Sequence, residues 1–145
     1  RVNDAFGSSI TREHWLSLRR EAMAFRPGVL PAVEFASRYG QVTRLTNNGM
    51  LLGEHLPEVA PELVPVFGDH MFATAHYAAR KPDPVVYQRV LERYGASAAD
   101  TFFVDDTPDN LRGATEIGIT SQWFSPHDSG ETVIQAITEF IGPRA

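Results

Sequence analysis

The stretch Thr101-Phe102-Phe103-Val104-Asp105-Asp106-Thr107-Pro108-Asp109-Asn110 turns from apolar to acidic in the middle. Thr101 to Val104 reads as a short buried strand. Pro108 opens a helix that runs to Ile117, with Thr107 at the cap position and Gly118 as the stop. A strand that ends in two carboxylates immediately before a helix start places acidic groups where open α/β sheets bind ligands, beyond the carboxyl ends of the strands.

Outward from that stretch the same alternation continues. Downstream, Ile119 to Phe124 is a further strand, and Val133, Ile134, Ile137, Phe140 and Ile141 mark a last helix that stops at Gly142-Pro143. Upstream, Met71 to Thr74 is a strand, and Lys81-Pro82-Asp83-Pro84 leads into a helix capped by Asp83 that carries Tyr87, Val90, Leu91 and Tyr94 before Gly95. Residues 42–46 are β-branched and short, a strand halted by Asn47-Asn48-Gly49. Between Gly49 and Gly68 the prolines at 57, 61 and 65 rule out one continuous helix, and two short helices are expected. Val29, Leu30, Val33 and Ala36 trace a helix ending at Gly40. Trp15, Leu18, Ala22 and Phe25 trace another, from Thr11 to Phe25. Strands alternating with helices imply an α/β fold, a parallel sheet covered on both faces.

Composition narrows the function. The 145 residues hold 13 Lys and Arg against 18 Asp and Glu, a formal charge of −5, with the basic residues scattered. Nucleic-acid binding needs clustered cations, so no nucleic-acid partner is expected. The longest apolar runs span only a few residues, so no membrane partner is expected either. Cysteine is absent, which excludes disulfides, thiolate catalysis and Cys-zinc sites and suits a cytoplasmic setting.

Three strand ends are polar: Thr46-Asn47-Asn48-Gly49, then Arg80-Lys81-Pro82-Asp83, then Asp105-Asp106-Thr107. Together they offer a hydroxyl with backbone amides, one ammonium and a carboxylate cluster. Those are the parts of a phosphoryl-transfer site, because Mg²⁺ prefers carboxylate oxygens while Lys and hydroxyl or amide donors hold phosphate oxygens. Taken singly, each has an ordinary reading: a surface lysine, a turn former, a pair of acids favouring a helix N-terminus. The five histidines are dispersed without metal-ligand spacing.

In this order the motifs resemble those of the haloacid dehalogenase-like hydrolases, over most of the chain from about Pro27 to Ile141. Thr46-Asn47 is similar to the family's second motif, Lys81-Pro82-Asp83-Pro84 to the third, and Phe103 to Asn110 to the fourth. The acid pair followed by Asn110 is similar to the branch containing sugar-phosphate phosphatases and the N-terminal phosphatase domain of epoxide hydrolases. The resemblance implies a three-layer, Rossmann-like core over residues 27–145, with residues 1–26 as the C-terminal part of a helical cap or linker. It implies a phosphomonoester hydrolase that works through an aspartyl-phosphate on a small phosphorylated metabolite with Mg²⁺ as cofactor. Asp106 would ligate the metal, and Asp105 would be a further ligand or hold a metal-bound water. Thr46 and the Asn47 amide would bind the phosphoryl group, Lys81 would neutralise it and position the nucleophile, and Asn110 would support the metal's ligands. Thr46 and the acid pair favour phosphate chemistry over carbon–halogen cleavage.

One departure matters. The family's nucleophile lies in an Asp-x-Asp motif at the end of a central first strand, and no such motif occurs here; Asp4 is the only acid before the first helix. The nucleophile is therefore expected upstream of Arg1, with these residues inactive alone and a slot left in the sheet. The alternative is a catalytically silent phosphate-binding or interaction domain.

Overall fold

The computed structural model of the chain describes residues 11–23, 26 and 28–142. Asp4, Phe25, Pro27 and Pro143 lie outside the described residues.

Helix α1 (Arg12–Ala22) is followed by α2 (Val29–Ser37) and strand β1 (Arg44–Thr46). The proline-rich stretch breaks further than two helices: α3 (Met50–Gly53), α4 (Leu56–Val59), a 3₁₀ turn (Pro61–Leu63) and α5 (Val64–Phe67). The missing donors at Pro57, Pro61 and Pro65 restart the chain each time. Strand β2 (Met71–Ala73) leads through a 3₁₀ turn to α6 (Pro84–Tyr94). Strand β3 (Phe102–Asp105), α7 (Pro108–Thr115), β4 (Thr120–Trp123) and α8 (Gly130–Ile141) complete the order.

All the pairing is parallel, but the described strands form two separate pairs, β1 with β2 and β3 with β4, rather than one continuous sheet. The inner edges can be named. Arg44 N–H donates to the His70 carbonyl of the β2 side, so Leu45 turns its peptide groups away from β2. Thr120 and Phe124 N–H donate to the carbonyls of Thr101 and Asp105, so Phe102 and Val104 turn theirs away from β4.

Side-chain alternation sends the two faces of β3 to different cores. Phe103 packs with Phe72, Val86, Tyr87, Ala114 and Leu45, beneath α6 and α7. Phe102 and Val104 pack with Ala32, Phe124, Val133 and Ile137, beneath α2 and α8. Both faces of this strand are covered, as its apolar run requires. The α2–α8 crossing is tight enough that a Cβ on Gly130 would sit 2.0 Å from the Gly28 carbonyl oxygen.

A third core joins Leu52, Leu56, Val59, Leu63 and Met71. Helix α1 docks here through Trp15 and Leu16, with Met23 just beyond its end. The stripe expected to face inward at Leu18 is rotated, since Leu18 is 44% exposed, and the expected continuation to Phe25 stops at Ala22. The rotation lets Arg12 reach the ring of buried His55, whose Nδ1 pairs with the Leu51 carbonyl. Among the described residues no helix is long and apolar enough to cross a membrane.

Candidate active site

The polar ends of β1 and β3 and the turn before α6 meet at one cavity of about 440 Å³. It is lined by Thr46, Asn47, Lys81, Asp105, Asp106 and Asn110, with Pro82, Thr107 and Asp109 at its rim. All six residues singled out in the sequence come together.

Lys81 lies at its centre. Its Nζ donates to the Leu45 carbonyl at 3.0 Å and to Asp105 Oδ2 at 2.6 Å, bridging the facing edges of β1 and β3. Both side chains are only 7% exposed, and the Phe103 ring lies 5.6 Å from the ammonium. The backbone of Lys81 is held by the Asn47 side chain, which donates to its carbonyl at 2.9 Å and accepts its N–H at 3.0 Å. This pair of hydrogen bonds between one side chain and the backbone N–H and carbonyl of one residue was not legible in the sequence, where Asn47 read as a turn former with a useful backbone amide.

Asp105 is held through both carboxylate oxygens. Beyond Lys81 on Oδ2, its Oδ1 accepts from Thr107 N–H at 2.8 Å and from Asn110 Nδ2 at 3.0 Å. Burial opposes ionisation of this carboxyl, but the Lys81 hydrogen bond and charge, with the Asn110 and Thr107 donors, outweigh it and hold the group below the usual carboxylate range. Asn110 is itself buried, and its carbonyl accepts from the Tyr87 hydroxyl at 2.6 Å. Burial, with the nearby Asp105 charge, raises that phenol, so it remains a donor. Tyr87, read from its helical spacing as a core residue, is buried and also supports the site.

The cap of α7 differs from expectation. Thr107 occupies the cap position, but its side chain makes no cap hydrogen bond. Asp105 instead reaches forward to the Thr107 amide, which ties the strand end to the helix start. Asp83 and Thr11 do cap as expected, accepting from the amides of Val85 and His14.

Asp106 is exposed, and among the described residues its carboxylate carries only a 3.4 Å contact from the Thr107 hydroxyl. Its carbonyl accepts from Trp123 Nε1 at 3.1 Å, a support that the sequence did not signal. Asp109 forms an exposed ion pair with Arg112 at 3.0 Å.

This donor set fits Mg²⁺, which is commonly held by one or two carboxylates, water and substrate phosphate. Asp106 is available for it, while Asp105 has both oxygens engaged by protein donors. Among the described residues no group of three or more His, Cys, Asp or Glu side chains is arranged to hold a metal. The set therefore suits a cation shared with phosphate or with another carboxylate.

The parallel α/β scaffold thus presents a threonine and an acid pair at two strand ends and a lysine on the turn before a helix. Residues 4–118 match the haloacid dehalogenase-like hydrolases, and the chain belongs to that family. It is 34% identical over 138 residues to the phosphatase MT3486 of Mycobacterium tuberculosis (strain CDC 1551 / Oshkosh), covering 88% of this chain and 62% of that protein. The chain thus spans less than two thirds of that relative's length. In fold it is similar to the HAD-family enzyme bt-2542 of Bacteroides thetaiotaomicron. With that enzyme's magnesium complex the TM-score is 0.71 at 18% identity, over 92% of this chain and 70% of that one. With its complex of magnesium and inorganic phosphate the TM-score is 0.70 at 19% identity, over 90% and 69%.

Proposed function

We propose that this chain forms the larger part of a Mg²⁺-dependent phosphomonoester hydrolase acting on a small phosphorylated metabolite. The carrying observation is the convergence of Thr46, Asn47, Lys81, Asp105, Asp106 and Asn110 on one cavity. The phosphatase character of the mycobacterial relative and the magnesium and phosphate in the bt-2542 complex support the reading.

The hydrogen bonds of Lys81, Asp105 and Asn110 support a division of roles. The Thr46 hydroxyl and Asn47 N–H bind phosphoryl oxygens, and the buried Lys81 ammonium neutralises their charge. Asp105, kept ionised, holds Lys81 in place, and Asn110 holds Asp105. Asp106 would hold Mg²⁺, which when bound draws charge from the phosphoryl oxygens and orients the group for attack.

A nucleophilic carboxylate completes the scheme. We place it on a strand between β1 and β3, upstream of Arg1, where the peptide groups of Leu45, Phe102 and Val104 face and Lys81 reaches across. The carboxylate attacks phosphorus and the ester oxygen departs as the alcohol, taking a proton. Water then cleaves the aspartyl-phosphate to release phosphate and restore the carboxylate. Residues 1–26 belong, in this reading, to the C-terminal part of a helical cap or linker.

Asp106→Asn in the full-length gene product tests the proposal, because the side chain is exposed and the change leaves the core alone. Turnover of p-nitrophenyl phosphate should fall by about 100-fold or more with the melting temperature unchanged. An unchanged rate would reject it, and saturable phosphate binding without turnover in the wild type would favour the silent binding domain.

A further inference from the structure

Thr46 does not stand alone at the cavity. Its Oγ1 accepts a hydrogen bond from Asn48 Nδ2 at 2.7 Å, and Asn48 Oδ1 accepts one from an Arg19 terminal nitrogen at 3.1 Å. Arg19 lies on α1, 29 residues away in sequence from Asn48. Its guanidinium carbon is 5.8 Å from the Trp15 ring centre, and its Nε is buried without a hydrogen-bond partner among the described residues.

The direction of these bonds is forced. A guanidinium has donors and no acceptor, so the Asn48 oxygen must face Arg19 and the amide nitrogen must face Thr46. The Thr46 oxygen is then an acceptor toward Asn48, which leaves its one O–H proton to point elsewhere. Thr46 lines the cavity beside Lys81 and Asp105, so that proton is available to an anion there.

We propose that Arg19 and Asn48 are positioning residues that set the Thr46 hydroxyl as a donor to a phosphoryl oxygen, coupling α1 to the reaction site. The inference rests on the phosphatase reading and deepens it. Helix α1 thereby gains a task beyond packing: its register on the third core decides whether Arg19 reaches Asn48, and so which way the hydroxyl proton points.

Asn48→Asp separates this from a structural role. The new carboxylate still accepts from Arg19, so the tie between α1 and the loop survives as an ion pair. It no longer donates to Thr46, whose proton is then drawn to it and away from phosphate. A merely structural contact would be preserved by this change.

The experiment is a double-mutant cycle on the full-length gene product, read by p-nitrophenyl phosphate turnover with Mg²⁺ and by calorimetric binding of inorganic phosphate. Thr46→Ala should lower kcat/KM by about 100-fold. Asn48→Asp and Arg19→Ala should each lower kcat/KM and phosphate affinity by about 10-fold in the wild type, and by less than about twofold when Thr46 is already Ala. Losses of equal size in both backgrounds, or no loss in either, overturn the relay. Should Arg19→Ala fail to fold, the Asn48→Asp arm decides alone. If Thr46→Ala is neutral, or the wild type neither hydrolyses the ester nor binds phosphate, the phosphatase reading itself falls, a result distinct from additivity.

Discussion

The Lys81–Asp105 pair concentrates the energetics of the site in two side chains. Both are nearly buried, and each has its remaining hydrogen-bonding capacity largely filled by Leu45, Asn110 and Thr107. Breaking such a pair from one side strands a charge in the interior, which costs about 3–5 kcal/mol. Lys81→Met should therefore destabilise the metal-free protein by about 3 kcal/mol at neutral pH, measured by denaturant unfolding in chelator. The pH dependence has a definite sign. Asp105 titrates below the usual range when folded, so its contribution is fully present above the unfolded carboxylate pKa and is lost as pH falls through the lower folded value. In Lys81→Met the buried carboxyl has lost its partner and protonates more readily, so the gap between the two proteins should narrow on acidification. A gap that widens toward acid would contradict the assigned ion pair.

At the scale of elements, the site depends on how closely α7 approaches the Lys81-Pro82 turn. A Cβ on Gly113 would lie 1.9 Å from the Pro82 carbonyl oxygen and 3.2 Å from the Tyr87 ring. The first of these is backbone, which cannot swing aside as a side-chain tip can. Gly113→Ala should push α7 off the turn, and with it Asn110 and the start of the helix that Asp105 holds. The expected cost is about 1–3 kcal/mol from overpacking, offset only slightly by the better helix propensity of alanine. A thermal melt at or above the wild-type midpoint would show that the helix has room. The sequence carried part of this picture. Asp83, Pro84 and Gly95 bounded α6 correctly, because capping and proline effects are local. Trp15 faces inward as expected, but the rest of the inward face of α1 was not legible, because Leu16 and Leu18 are equally apolar and only the position of His55, Asn48 and the third core selects between them.

Over the whole molecule, the two strand pairs face each other across an interval spanned by one lysine side chain. Strand addition between them would give the N–H groups of Leu45, Phe102 and Val104 partners on their open side, which an interior strand requires. Amide exchange at Leu45, Phe102 and Val104 should be slow in the full-length gene product and faster by orders of magnitude in residues 1–145 alone, read by nuclear magnetic resonance or mass spectrometry. Equal protection in both would mean that no strand enters there, and the proposed source of the nucleophile would fall with it.

The sequence by itself determined the alternation of strands and helices, the position of Thr46 and Asp105-Asp106 at strand ends and of Lys81 just before a helix, and the family whose motifs they match. The alternation and the element ends follow from periodicity and turn residues, which act at short range along the chain, and the family from the resemblance of its motifs in their order. Only the tertiary structure decided that Asp105 is tied to Lys81, Thr107 and Asn110 while Asp106 stays open, that the Asn47 side chain clasps the Lys81 peptide, and that Arg19 reaches Asn48. Each is a hydrogen bond whose partner depends on which elements pack together, and on a distance that one residue's rotation of a helix would break.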